Sequence, residues 1–161
     1  MVTTTAAYSQ TRYRVGLYEG FDGVVRVASG GHYATGALLF DGQAVLTAGH
    51  LFGGGQTSAT VYFDTATGVQ AVASSRVLVH PGFVNDSNND LALVWLSQSA
   101  PVKADRYDIY RNAVVLGQAF DLVGYGLPGT GETGALDTGA ATYTKLKARN
   151  TVDADAAELK S

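Results

Sequence analysis

Short apolar or alternating segments, separated by turn signals, follow one another through the first hundred residues of the chain. Asp41 and Gly42 form a hairpin signal, and Pro81 and Gly82 end a long alternating segment. The predicted strands are 23–29, 32–40, 44–48, 58–63, 68–80 and 91–96. Six strands at this short spacing are enough to form one small antiparallel β-barrel.

The composition excludes several classes of protein. Apolar residues make up 46% of the chain and charged residues 16%, a balance typical of globular domains and not of disordered ones. The net charge is -3 and no run of basic residues occurs, so no nucleic-acid partner is predicted. No apolar segment has the length of a transmembrane helix, so no membrane partner is predicted either. The absence of cysteine excludes disulfides and thiolate metal sites.

The rest of the chain predicts a second β unit that is only begun. Its predicted elements are a connector at 97–118, strands at 119–125 and 140–152, a glycine-rich loop at 126–139 and the start of a helix at 153–161. Two strands leave open edges and apolar faces, which favours pairing with another chain. We therefore expect residues 119–161 to need further polypeptide that lies outside this sequence.

A histidine and an aspartate are the candidate catalytic residues. His50 follows the apolar strand 44–48, and the small residues just before it would let a substrate or a partner chain approach closely. Asp90 is the last polar residue before the apolar segment 91–96, and a carboxylate partly buried there needs a partner. A hydrogen bond from Nδ1 of His50 would supply that partner and hold the imidazole in the tautomer of a general base. Taken singly, a surface histidine after a strand and a turn aspartate are the more ordinary interpretations.

Several short motifs that follow one another along the chain strengthen the catalytic interpretation of His50 and Asp90. They are SGGHYATGALL at 29–39, AVLTAGH at 44–50, HPGF at 80–83, NDLAL at 89–93 and VGYG at 123–126. With these motifs the chain resembles the trypsin-like (chymotrypsin-family) serine proteases, whose corresponding segments read GGSL, TAAH, HP-F, NDIAL and GWG. The resemblance implies an all-β, trypsin-like double β-barrel. The first six-stranded barrel would be complete and the second only begun in this chain.

The resemblance also implies a role for each candidate residue. His50 would be the general base and Asp90 its orienting carboxylate in the hydrolysis of peptide bonds by acyl transfer, with no cofactor and no metal. The implied divisions are an N-terminal extension at 1–22, a barrel with His50 and Asp90 at 23–100, an inter-barrel connector at 101–118 and the first part of the C-terminal barrel at 119–161. Two departures leave the chemistry intact. Ala34 and Phe52 stand where many members have a disulfide, and Gly49 stands where alanine is usual.

The nucleophile of this apparatus is missing from the sequence. The family's serine lies in a Gly-Asp-Ser-Gly-Gly block, and no serine here is flanked in that way. The chain alone is therefore expected to be inactive. Three explanations stay open: an N-terminal fragment whose C-terminal fragment carries the serine, a truncated form of a longer chain, or a pseudoprotease or binding module on the same fold. The unfinished second barrel favours the first, with the C-terminal fragment and a peptide or protein substrate as partners.

Weaker features complete the sequence interpretation. DSNND at 86–90 matches the first half of a calcium loop but lacks its glycine and distal acid, so we interpret it as a solvated turn. Arg14 and Val15 faintly resemble an activation cleavage site, and His32 and His80 are interpreted as structural. Residues 1–7 show no secretory leader, although the resemblance implies a secreted or extracellular protein.

Overall fold

The computed structural model describes residues 2–4, 7, 9–84, 89–113, 115–130, 132, 134–135 and 143–154. The strands in this part of the chain are β1 (Val2–Thr4), β2 (Val24–Ser29), β3 (His32–Leu38), β4 (Ala44–Thr47), β5 (Thr60–Thr65), β6 (Gly68–Val79), β7 (Ala92–Leu96), β8 (Ala119–Gly124), β9 (Pro128–Thr130), β10 (Gly134–Ala135) and β11 (Leu146–Thr151). The helical segments are short 3₁₀ turns, Thr11–Tyr13 and Gly49–Phe52. No helix among these residues is long and apolar enough to cross a membrane.

Strands β2 to β7 close into a barrel in the order β2-β3-β4-β7-β6-β5, and neighbouring strands are antiparallel. Successive side chains of a strand point to opposite faces, and alternate residues here are apolar, so each strand has one apolar face. Closure of the sheet into a barrel buries these apolar faces in a common interior. The fully buried interior consists of Val25, Val27, Leu38, Val45, Val61, Phe63, Val72 and Val94. All of these residues come from the barrel strands themselves. The predicted six-stranded all-β barrel is therefore confirmed.

Strand β7 differs in one respect from the prediction, which had it buried on both faces. Ala92, Val94 and Leu96 are buried, whereas Leu93 and Trp95 are only half-buried. The outer face is covered in part by side chains from the next strand, since the guanidinium of Arg76 lies 5.2 Å from the centre of the Trp95 ring. Although the residues of β7 are all apolar, only one face of the strand is buried in the barrel, and the other face is partly exposed.

The second unit is more elaborate than predicted. Strands β8 and β11 pair antiparallel, but β11 begins only at Leu146, while residues 140–142 of the predicted strand lie outside the described ones. The predicted glycine-rich loop contains the β9–β10 hairpin, and β1 pairs in parallel with β9. Residues 2–4 of the predicted N-terminal extension therefore belong to a sheet. The calcium-like turn at 86–88 and the end of the predicted helix at 155–161 also lie outside the described residues.

A buried polar cluster joins the second unit to the barrel. The side chain of Lys145 is 3% exposed; its ammonium donates to the carbonyl of Phe21 at 2.9 Å and lies 3.6 Å from Oδ2 of Asp64. The hydroxyl of Tyr125 donates to the same Asp64 oxygen at 2.6 Å. Burial lowers the pKa of Lys145, against the opposing effect of Asp64, and burial together with Asp64 raises the pKa of Tyr125. A buried charge is costly without a partner, so Lys145 requires these contacts. Since Tyr125 belongs to VGYG and Lys145 directly precedes β11, the contacts hold both segments against the barrel.

The backbone of VGYG also fits closely against the barrel. The amide of Tyr125 donates to Oγ1 of Thr35 at 2.9 Å, and Oγ1 donates to the carbonyl of Tyr125 at 3.1 Å. A Cβ at Gly124 would lie 2.8 Å from the same Oγ1. Only glycine leaves room for this approach, which explains a glycine at that point of the motif.

Replacing Phe63 with alanine is expected to lower the free energy of unfolding by about 3–5 kcal/mol, because it removes a fully buried ring from the barrel interior and leaves a cavity. Chemical denaturation followed by circular dichroism measures the change. The matched control is Val69→Ala on the next strand of the same hairpin, where the side chain is 59% exposed. Equal losses for the two variants would contradict the assigned barrel interior.

Candidate active site

The barrel topology brings the two candidate catalytic residues to one end of neighbouring strands. Strand β4 ends where β7 begins, because the two strands are antiparallel and Thr47 pairs with Ala92. His50 follows the end of β4 in the 3₁₀ turn Gly49–Phe52, and Asp90 lies just before β7. His50 and Asp90 are therefore in direct contact, although they are 40 residues apart in the sequence.

Both oxygens of the Asp90 carboxylate are used to hold His50. Oδ2 lies 2.8 Å from Nδ1 of the imidazole, and Oδ1 accepts the backbone N–H of the same residue at 2.7 Å. The structure therefore brings together the two residues that the motifs single out. The hydrogen bond to the backbone N–H is a further restraint on His50 that the sequence did not reveal.

The electrostatics of this pair favour an ionised Asp90 carboxylate. The hydrogen bond from the His50 ring lowers the pKa of Asp90, with a further contribution from the His50 backbone N–H and with burial opposing both. The carboxyl group is therefore ionised at neutral pH and can only accept, so Nδ1 of His50 carries the proton that it donates; in the neutral form of the ring, the lone pair is then on Nε2. Because the folded-state pKa is lowered, the stabilisation from this contact is fully present above the ordinary aspartate pKa and is lost as the pH falls through the lowered value.

The other side of the imidazole is open. The His50 side chain is 62% exposed and the Asp90 side chain 40% exposed. Among the described residues, none forms a hydrogen bond with Nε2. A neutral imidazole that is oriented through Nδ1 and open at Nε2 can accept a proton from an incoming hydroxyl group.

The turns next to this pair explain the local sequence. Asn89 adopts a φ of 63°, a left-handed conformation that asparagine tolerates, and its amide donates to the carbonyl of Gly82 at 3.2 Å. A Cβ at Gly49 would lie 3.1 Å from the carbonyl oxygen of Leu91 and 3.3 Å from Oδ1 of Asp90. The two backbones therefore approach closely, which favours a small residue before His50.

The remaining histidines lie away from Asp90, and their interpretation as structural stays a prediction. Nδ1 of His80 accepts the backbone N–H of Gly82 at 3.1 Å and so stabilises the turn that follows β6. His32 begins β3, paired with Ser29 in the β2–β3 hairpin. Neither side chain makes a hydrogen bond to Asp90 within the described residues.

No described serine forms a hydrogen bond with the imidazole of His50, and three serines of the barrel contact other groups. Ser29 donates to the carbonyl of Ser58 at 2.7 Å, Ser74 accepts the amide of Ala59 at 2.8 Å, and Ser75 donates to the carbonyl of Leu96 at 3.1 Å. These serine hydroxyl groups form hydrogen bonds between neighbouring segments of the barrel. The described residues also contain no group of three or more His, Cys, Asp or Glu side chains that could hold a metal ion.

Comparisons with known proteins give two matches of interest. The family model for trypsin matches residues 9–156. Among solved structures, the chain is similar to neuropsin, described as a serine protease expressed in the limbic system of mouse brain, with a TM-score of 0.68 and 17% identity. That match covers 88% of this chain and 64% of the neuropsin chain, so this chain spans less than two thirds of that protein's length. No curated protein matches the sequence.

Proposed function

The chain belongs to the trypsin family, and on this premise we propose that it is the His- and Asp-bearing part of a serine endopeptidase. His50 takes the proton of a serine hydroxyl at Nε2 as the serine attacks the peptide carbonyl, and returns it to the leaving amine. Asp90 holds the ring and stabilises the imidazolium. The serine and the oxyanion hole come from a separate C-terminal polypeptide. Release of the amine leaves an acyl-enzyme intermediate, which water hydrolyses to the carboxylic acid and the free serine.

One observation carries this proposal. The distance of 2.8 Å between Nδ1 of His50 and Oδ2 of Asp90, with the second carboxylate oxygen 2.7 Å from the His50 amide, orients the imidazole as a general base. A structural histidine at a strand end needs no such double restraint. The lack of a partner on Nε2 among the described residues leaves the base ready for a hydroxyl group.

The open second unit supports the contribution of further polypeptide. Within the described residues, β8 and β11 form a sheet of two strands. The outer edge of β11 is bridged at its first residue, where Arg14 pairs with Leu146, and the described residues form no further strand on either edge. Phe120 and Leu122 of β8 are 38% and 44% exposed. Open strand edges beside exposed apolar side chains favour the addition of strands. A secreted or extracellular location is part of the same proposal, and the match to the trypsin family supports it.

The alternative is an inactive pseudoprotease or protein-binding module on the same fold. This function requires no nucleophile, and none of the 161 residues lies in a Gly-Asp-Ser-Gly block. The two functions differ in whether a serine-bearing polypeptide accompanies this chain.

Intact-mass measurement of the protein isolated from its natural source under native conditions separates the two functions. We expect a second polypeptide that contains a Gly-Asp-Ser-Gly block and that reacts with a serine-directed phosphonate. A single continuous chain with both the 161 residues and that block would keep the catalytic roles but contradict the separate polypeptide. A homogeneous 16.8 kDa species that the phosphonate does not label would establish the binding module instead.

A further inference from the structure

A cavity of about 220 Å³ opens at one end of the barrel. Three segments form it: the turns that precede β2, the β5–β6 hairpin and the connector that follows β7. Strand β6 runs from that hairpin at Gly68 to Val79, which pairs with Ala92 beside the candidate active site. The cavity and the His50–Asp90 pair therefore lie at opposite ends of the barrel, and neither residue of the pair lines the cavity. We call it the far-end cavity.

The far-end cavity is lined by a buried carboxylate that has a partner at only one of its oxygen atoms. Asp22 is 3% exposed, and its Oδ2 accepts the backbone N–H of Tyr18 at 2.9 Å. Its Oδ1 is buried and has no hydrogen-bond partner among the described residues. A buried carboxylate oxygen without a partner costs free energy, so this position favours a cationic donor that the described residues do not supply.

A second carboxylate of the far-end cavity also has an oxygen atom without a partner. The contacts of Asp64 with Tyr125 and Lys145 both use Oδ2, and within the described residues no hydrogen bond is made to Oδ1 of this 39% exposed side chain. Burial lowers the pKa of the lysine, and the charges of Asp64, Asp22 and Asp105 oppose that effect. Three carboxylates thus act on one buried ammonium, which can neutralise only one of them.

The remaining walls of the far-end cavity can pack against an alkyl chain. The apolar lining residues include Leu17, Pro101, Val102 and Ala104. Tyr18 also lines the cavity, is 63% exposed and adopts a φ of 65°, which is uncommon for an aromatic residue. Its hydrogen bond to Asp22 holds it in this conformation. An exposed aromatic ring beside two carboxylates adds a cation–π contact for a positively charged ligand.

We propose that the far-end cavity binds the arginine side chain of a protein that docks at this end of the barrel. The methylene groups of the arginine pack on the apolar walls, and its guanidinium forms charge-assisted hydrogen bonds with Asp64 and Asp22. The volume of about 220 Å³ is several times the share of one water, about 30 Å³, and so exceeds what a single metal ion needs. The described residues also contain no group of three or more His, Cys, Asp or Glu side chains that could hold a metal. Occupancy of this site does not depend on the proposed function.

Isothermal titration calorimetry tests the occupant with two short peptides, acetyl-Gly-Arg-Gly-amide and its citrulline counterpart, which has nearly the same shape without the charge. The protein from its natural host is first treated with the serine-directed phosphonate, so that a blocked catalytic groove takes up neither peptide. We expect the arginine peptide to bind about tenfold more tightly or better. Equal affinities would overturn the proposal, as would tighter binding of Ca²⁺ alone. Because the titration needs no reactive serine, either result leaves the proposed function intact.

Two variants locate the binding site in the same titration. Asp22→Asn is expected to weaken binding of the arginine peptide by about tenfold, because the amide oxygen keeps the contact with the Tyr18 N–H but the charge is lost. Tyr18→Ala, at a 63% exposed position where the fold should be unaffected, is expected to weaken it by about threefold. The matched control Asp108→Asn removes the same charge from the connector, outside the cavity, and should leave the affinity unchanged. Unchanged affinity in both cavity variants would overturn the proposal.

A lysine at the far-end cavity gives a readout of the opposite sign. Lys103 lines the cavity, is exposed and, among the described residues, forms no ion pair with Asp22 or Asp64. Its ammonium repels a basic ligand, so Lys103→Ala is expected to strengthen binding of the arginine peptide by about twofold. Weaker binding in Lys103→Ala would mean that the cavity takes an anionic group, and would overturn the assignment of its occupant.

Discussion

Replacing His50 with alanine is expected to abolish phosphonate labelling of the serine-bearing polypeptide in the assembled protein. The imidazole is held through Nδ1 by Asp90 at 2.8 Å and is the only group beside that carboxylate, in the described residues, that can take the serine proton. Without a base the serine hydroxyl is a weak nucleophile, and the loss for such a unit is about 10⁶-fold in rate. The rate of adduct formation, followed by intact mass, measures the effect.

The loss in His50→Ala can be separated from unfolding. The ring is 62% exposed, and the backbone N–H that donates to Asp90 remains in the variant, so the barrel and its thermal melt should change little. The matched control is His32→Ala at the start of β3, where the histidine is also exposed but makes no contact with Asp90. Labelling of His50→Ala at an undiminished rate would show that His50 is not the base.

The barrel could be predicted from the sequence because its signal is local. Alternation places Val25 and Val27 on one face of β2, and Val61 and Phe63 on one face of β5. Within each strand, the two residues are only two positions apart. The turns between strands also have local signals, such as the aspartate and glycine after β3. Strand bounds therefore agree with the prediction to within a few residues, and closure of the barrel follows from the need to bury that face.

The second unit was harder to predict because its contacts are non-local. Strand β9 is Pro128–Thr130, three residues without apolar alternation, and its parallel partner β1 lies at the other end of the chain. Lys145 lies just before β11, where a lysine is ordinarily exposed, yet its side chain is buried, with Asp64 and the Phe21 carbonyl as polar partners. Neither fact has a signature in the neighbouring residues. Propensity and periodicity describe a segment, whereas these elements are defined by their partners.

The candidate site was partly predictable for a related reason. The hydrogen bond between His50 and Asp90 was expected because each residue has its own motif, and the antiparallel pairing of β4 with β7 brings the motifs together. The bond from the His50 backbone to Oδ1 depends on the 3₁₀ turn that begins at Gly49. That turn has no strong sequence signal. The catalytic roles of both residues stay predictions until the variants are measured.

Replacing Asp90 with asparagine is expected to lower kcat for a peptide substrate by about 10⁴-fold, the loss that this change causes in a Ser-His-Asp triad. The two contacts of Asp90 explain the size of the effect. The backbone N–H of His50 requires an acceptor at the position of Oδ1, so the amide oxygen takes that position and the NH₂ group faces Nδ1. That NH₂ donates to Nδ1 and places the ring proton on Nε2, where the base needs a lone pair.

The imidazole ¹⁵N chemical shifts distinguish this mechanism from a loss of structure. In the unaltered protein Nδ1 should carry the proton, and in Asp90→Asn the proton should move to Nε2 while the fold remains. Asp41→Asn is the matched control, because that exposed carboxylate also accepts backbone N–H groups, from Gln43 and Ala44, but lies away from His50. An unchanged tautomer together with unchanged kcat in Asp90→Asn would mean that the carboxylate caps a turn and does not orient the base.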